Sequence, residues 1–262
     1  MIDKNRAILS RFGFSFDTGS THMARTYMLS ELQTLLAYAA QPNTSPAEYR
    51  RVIVEENCLH KRSGQTRILT SRHLVALYTL DPAQSIFRTL RFFWSRDPEG
   101  QPLLALLCAY VRDALLRASA PFVLETAPAV VFPRTAMEEH LASMYPDRFS
   151  TATRTSIAQN LLSTWTQTGH LQGKLHKIRT RPVTTPGAVA YALYLGYLAG
   201  ERGQMLFSSP YTTLLDAPVA ELIDLADTAA RRGWLVFKHI GDVIEVQFPH
   251  LLTTEEKEWL RE

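Results

Sequence analysis

Arg148, Arg154, Lys174, Lys177, Arg179 and Arg181 all fall between residues 148 and 200, a stretch that contains no Asp or Glu. Cationic side chains unopposed by carboxylates are suited to holding a polyanion such as a phosphate backbone. Residues 1–147 carry 16 basic and 14 acidic side chains, 148–200 carry 6 and 0, and 201–262 carry 6 and 11. The formal charge of +3 therefore conceals a basic middle and an acidic end. A nucleic acid is attracted to the first and repelled by the second. A second basic group, His60, Lys61, Arg62, Arg67, Arg72 and His73, is offset by Glu55 and Glu56. On charge balance alone it reads as a solvated loop, with a phosphate-binding role as the alternative.

The residue types of catalysis do not gather in the same way. The chain has no GxxxxGK[ST] loop, no GxGxxG after a strand, no HExxH and no GxSxG. Glu138, Glu139 and His140 are consecutive, and consecutive helical residues point about 100° apart, so they do not converge on one ion unaided. Cys58 and Cys108 form no CxxC pair, which argues against a zinc site or a disulfide framework. The expectation is a non-enzymatic protein without metal or cofactor, in a reducing, cytoplasmic setting. The N-terminus, Met-Ile-Asp-Lys-Asn-Arg, lacks the apolar core of a signal peptide. Residues 182–200 are uncharged, but Thr184, Thr185, Pro186, Gly187 and Gly196 interrupt them. About 14 helix-like apolar residues remain, fewer than the roughly 20 of a membrane span. A buried core helix is expected there, and no membrane partner.

The basic stretch needs elements to present it. Ser150 can cap a helix in which Ile157, Leu161, Leu162 and Trp165 share a face. Arg154, Thr155, Gln159 and Asn160 then lie on other faces as candidate groove-facing residues. Gly169 ends that helix, and residues 170–182 supply a strand and a loop carrying Lys174, Lys177, Arg179 and Arg181 as candidate backbone contacts. A polar-faced helix leading into a basic wing is how winged helix-turn-helix modules meet DNA. The alternative is a solvated amphipathic helix followed by a basic loop.

Upstream, an extended arm through Phe12, Phe14 and Phe16 precedes helices over 21–40, 45–57, 65–80 and 102–117, and another that Asp81-Pro82 caps. Ser45-Pro46-Ala47-Glu48 has the pattern of a capping box. A proline-punctuated stretch, 120–133, reads as a boundary. Beyond it come a helix over 135–144, the basic segment, the apolar helix from Pro186, and a small strand at 205–207. A helix capped by Asp216 and ended by Gly233 leads into a β-hairpin around Lys238-His239-Ile240-Gly241-Asp242. This second helix-then-hairpin carries Glu221, Asp224, Asp227, Asp242 and Glu245, and so reads as structural or protein-binding.

Residues 54–67, Val-Glu-Glu-Asn-Cys-Leu-His-Lys-Arg-Ser-Gly-Gln-Thr-Arg, with the later helix ending Val-Arg-Asp-Ala-Leu-Leu-Arg, resemble the N-terminal part of BrxA proteins of bacterial BREX phage-defence islands. The resemblance covers the first half of the chain best, and the second half in layout. It implies a small, mostly helical, non-enzymatic DNA-binding protein that works beside a methyltransferase, an ATPase and a phosphatase-like protein. It also raises Lys61, Arg62 and Arg67 to candidate DNA contacts.

Together these readings give a mainly α chain, with a helical N-terminal bundle over 1–132 and a winged-helix-like domain with a small β-hairpin over 133–262. The expected partner is double-stranded DNA, contacted mostly through phosphates, alongside other proteins of a defence system. A winged-helix transcriptional regulator and a protein-protein adaptor are the competing functions.

Overall fold

Side-chain caps set where many of the helices begin. Ser45, Ser63, Asp113, Ser150 and Thr185 each accept a hydrogen bond from the backbone N–H three residues on. Each bond satisfies a donor that a first helical turn leaves without a partner. The computed structural model describes residues 2–174, 176–241 and 243–261. With 58% helix and 7% strand, the chain is mainly α with small antiparallel sheets. Leu175 in the basic segment and Asp242 in the second hairpin lie outside the described residues.

The first half holds α1 (Ile2–Arg11), α2 (Leu29–Tyr38), α3 (Pro46–Val54), α4 (Gly64–Tyr78), α5 (Ser85–Trp94), α6 (Gln101–Tyr110) and α7 (Ala114–Glu125). Then come β1 (Val131–Phe132), α8 (Arg134–Met144), α9 (Thr151–Gln167), β2 (Leu171–Gln172) and β3 (Lys177–Arg179). The chain closes with α10 (Pro186–Leu198), the short α11 (Pro210–Thr213), α12 (Val219–Arg231), β4 (Val236–Ile240), β5 (Val243–Gln247) and α13 (Thr254–Trp259).

Two compact units share these elements, and each is assembled from separate segments. One comprises Met1–Phe14, Gln84–Leu107 and Pro182–Glu262, the other Ser15–Ala83 and Cys108–Arg181. Residue 132, the boundary suggested by the sequence, lies inside the second of these. The reason is local: Pro121 sits within α7, and Val131 and Phe132 pair with Ile178 and Lys177 of β3. The prolines of 120–133 therefore punctuate a folded segment.

The first unit is built round α10, whose residues Gly187 to Gly196 are all buried. Among the described residues no helix is long and apolar enough to cross a membrane. Tyr191 donates to Ile86 O at 2.9 Å, and Tyr194 and Tyr197 pack edge-on against Phe248. Residues 205–207, expected as a strand, lie within a 3-10 turn over Gly203–Ser208. Pro218, not Asp216, stands at the start of α12. The N-terminal arm is also helical before it extends: α1 occupies residues 2–11, and Phe12 and Phe14 are buried while Phe16 is exposed.

The second unit contains the basic stretch. The expected helix over 102–117 is divided, because Asp113 leaves helical geometry to cap α7. Gln84, without a side-chain cap bond, precedes α5, and Asp81 instead accepts from Ala83 N in the turn before it.

Candidate nucleic-acid interface

Helix α9 is held to its unit by three polar anchors as well as by its apolar face. Trp165 donates to Ser119 Oγ at 3.0 Å, joining α9 to α7. Thr164 Oγ1 lies 2.9 Å from His22 Nε2 and accepts from Tyr27 N at 3.1 Å. Asn160 donates to His22 O at 3.0 Å. His22 is in turn 3.1 Å from Asp113, and both are buried. Burial pushes the Asp113 carboxyl up, but the His22 ring, Leu116 N and Ser20 Oγ outweigh it and hold it at about 2.

This polar cluster left no mark in the sequence pattern, because its members are separated by up to 142 residues. It also reassigns Asn160. Its amide is directed at His22 and is not turned to a groove.

After α9, Gly169 (φ +85) turns the chain into β2. Strands β2 and β1 flank β3, all antiparallel, in the order β1-β3-β2. The β2–β3 turn depends on Gly173 (φ +100), where a Cβ would collide with His176 O. Lys174 and His176 are exposed beside it. Lys177 donates to Gly173 O at 2.7 Å, and partial burial lowers the pKa of its ammonium.

Between this turn, α9 and the start of α8 lies a cavity of about 510 Å³. Arg134, Thr135, Gln159, Ser163, Lys174, His176 and Lys177 supply its polar lining, with no carboxylate among the lining residues. Three of the expected site residues, Gln159, Lys174 and Lys177, thus converge. Arg134 and His176 join them unforeseen. His176 was visible within the basic Gly-Lys-Leu-His-Lys run, whereas Arg134 follows Pro133 in what reads as a linker.

No protein-family model matches the chain, and no curated protein matches it.

The other expected site residues are placed differently. Arg179 is 1% exposed. It donates to Val123 O at 2.8 Å, to His170 O at 3.2 Å and to Thr180 O. A guanidinium so enclosed by carbonyls ties β3 to α7 and cannot reach a phosphate, which corrects its reading as a backbone contact. Arg154 is half-buried and donates to Phe149 O at 2.8 Å and Thr151 Oγ1 at 3.3 Å. Thr155 is half-buried one turn before Gln159, and Arg181 is exposed just beyond β3.

In the α3–α4 turn, Lys61 pairs with Glu31 at 2.9 Å, and Arg67 donates to Val54 O and Lys61 O. Both brace a turn in which Asn57 and His60 have positive φ. Arg62 is exposed. None of these three lines the cavity beside α9.

Glu138 and His140 also diverge. Glu138 pairs with Arg134 at 2.8 Å, while His140 stacks on Phe122 at 4.5 Å and lies 3.0 Å from Ala118 O.

Proposed function

We propose that the unit containing α7 to β3 binds duplex DNA, chiefly through phosphates, as a non-enzymatic cytoplasmic accessory protein of bacterial anti-phage defence. The observation that carries this reading is the order α7, β1, α8, α9, β2, β3 with a β1-β3-β2 sheet. That order supports a winged helix-turn-helix reading, in which the later helix would enter the major groove. Helix α9 would present Thr155 and Gln159, and the wing Lys174, His176 and Lys177, with Arg134 and Arg181 beside them. The defence role rests on the likeness of residues 54–67 to BrxA proteins, and of Lys61, Arg62 and Arg67 it is Arg62 that is exposed.

The test is fluorescence polarisation of a labelled duplex at several salt concentrations. Log affinity is expected to fall linearly with log salt. Changing Lys174 and Lys177 to Ala should weaken binding on every sequence and reduce the slope by about 2. An unchanged slope would remove the wing from the interface, and absence of binding at low salt would end the DNA reading.

A second reading, a protein adaptor, draws on the other unit. Glu221 and Asp224 are exposed on α12, and Ile240 and Val243, paired across the β4–β5 hairpin, are 81% and 73% exposed. Such a surface suits a protein more than a phosphate backbone.

A further inference from the structure

A duplex backbone needs only an exposed cationic surface. The space between α9 and the wing is a cavity whose lining is partly apolar, through Val131, Pro133 and Leu162. Lys174, His176 and Lys177 line it with Arg134, which also pairs with Glu138, and Thr135, Gln159 and Ser163 supply neutral hydrogen-bonding groups. A volume of about 510 Å³ lies within the range of small-molecule sites. A phosphate on the backbone of an intact duplex has nothing to offer apolar lining, because its base is stacked and paired inside the helix. A nucleotide whose base is unpaired offers both parts.

We infer that this cavity takes a single unpaired nucleoside 5′-phosphate, its phosphate held by Arg134, Lys174 and Lys177 and its base packed on Leu162 and Val131. The inference rests on the nucleic-acid reading of this unit. It adds that a strand end with a 5′-phosphate binds differently from the body of a duplex. Gln159 and Ser163 are placed to meet the base edge, and each can both donate and accept.

The experiment compares three labelled DNAs: a blunt duplex, the same duplex with a short 5′ overhang, and that overhang carrying a terminal 5′-phosphate. The phosphorylated overhang is expected to bind about tenfold more tightly than the other two, as fits added charge-assisted hydrogen bonds. Thr135 is an exposed lining residue, and Thr135→Glu should bring the ratio of overhang to blunt affinity close to one. The ratio cancels any general loss of phosphate attraction.

Free deoxyadenosine monophosphate should displace the phosphorylated overhang at concentrations where inorganic phosphate does not. Displacement at micromolar nucleotide would mark the free nucleotide as the natural occupant, and displacement only at millimolar would mark the strand end. Equal affinity for all three DNAs would overturn the pocket while leaving duplex binding intact. Tight binding of the phosphorylated overhang without blunt-duplex binding would keep the pocket and end the duplex reading. A tenfold preference that survives Thr135→Glu, or equal displacement by phosphate and nucleotide, would also overturn this assignment.

Discussion

The segments α7 to β3 and α10 to β5 use one plan for opposite surfaces. Each has a long first helix, a short connecting element, two further helices and a closing hairpin. Where the first has β1, the second has the 3-10 turn, and Gly203 there comes close enough to β5 that a Cβ would lie 3.4 Å from Ile244 O. A buried carboxylate fixes the start of each first helix. Asp113 caps α7 itself, and Asp97 accepts from Thr185 Oγ1 at 2.6 Å and from Gly187 N at 2.8 Å at the start of α10. Asp97 also explains why Gly100 and Gly187 are glycines, since a Cβ at either would collide with its carboxylate.

What differs is the last helix and the hairpin. The first segment presents Lys174, His176 and Lys177 around a cavity without lining carboxylates. The second presents Glu221, Asp224 and Asp227, and its cations Arg231 and Lys238 are engaged by Asp227 and Glu245. Its hairpin tip is apolar, through Ile240 and Val243. The lesson is that one layout can carry opposite charge, set by a few solvent-facing positions on the final helix and hairpin.

The largest effect expected separates residues that build the scaffold from residues that dress it. Arg179→Ala removes a buried side chain and strands the carbonyl of Val123, while His170 O keeps only its bond from Thr180 N at 2.8 Å. Urea unfolding should show a loss of about 3–5 kcal/mol. Ile240→Ser, at the exposed tip of the other hairpin, should change stability by no more than about 0.5 kcal/mol. A stable Arg179→Ala protein with weakened DNA binding would reverse this assignment and restore Arg179 to the interface.

An intermediate effect concerns the carboxylate of Asp113. Asp113 sits at about 2 in the folded chain against an ordinary 3.8. A depressed carboxyl stabilises the fold fully above the unfolded value and loses that contribution as pH falls through the folded one. The contribution is about 2 kcal/mol, present above pH ~4 and lost towards pH ~2. Stability measured across this window should fall for the native chain and show a shallower fall for Asp113→Asn. Equal slopes would mean that the charge of Asp113 does not support the His22 cluster.

How much of this was legible in the sequence follows from range. Ser45 and Ser150 as caps, and Gly169 and Gly233 as left-handed terminators, are decided by residues within one turn, and each stands where its local chemistry puts it. The hairpin over 236–247 was legible for the same reason. Strand β1 was not. Two residues have no pattern of their own, and they become a strand only through β3, far along the chain.

Charge counting marked the basic stretch but did not see accessibility, so buried Arg179 and exposed Lys174 looked alike. The meeting of Arg134 with Lys177 depends on that same remote pairing of β1 with β3. The buried His22, Asp113 and Thr164 group was illegible too, since single polar residues in helical contexts resemble surface positions until the fold encloses them.

The smallest effect expected tests whether the two segments border one track. Glu221 and Asp224 are exposed on α12, and a face that lay against DNA would repel it there. If only the basic segment touches DNA, changing both residues to their amides alters duplex affinity less than about twofold at physiological salt. The screening length there is about 8 Å, so charges beyond contact range contribute little. Lowering the salt should enlarge the effect gradually, because the screening length grows. A tenfold gain in affinity at physiological salt would instead place these carboxylates within contact range of the duplex. The acidic helix would then act as a brake on DNA binding, and a basic protein docking on it would release that brake.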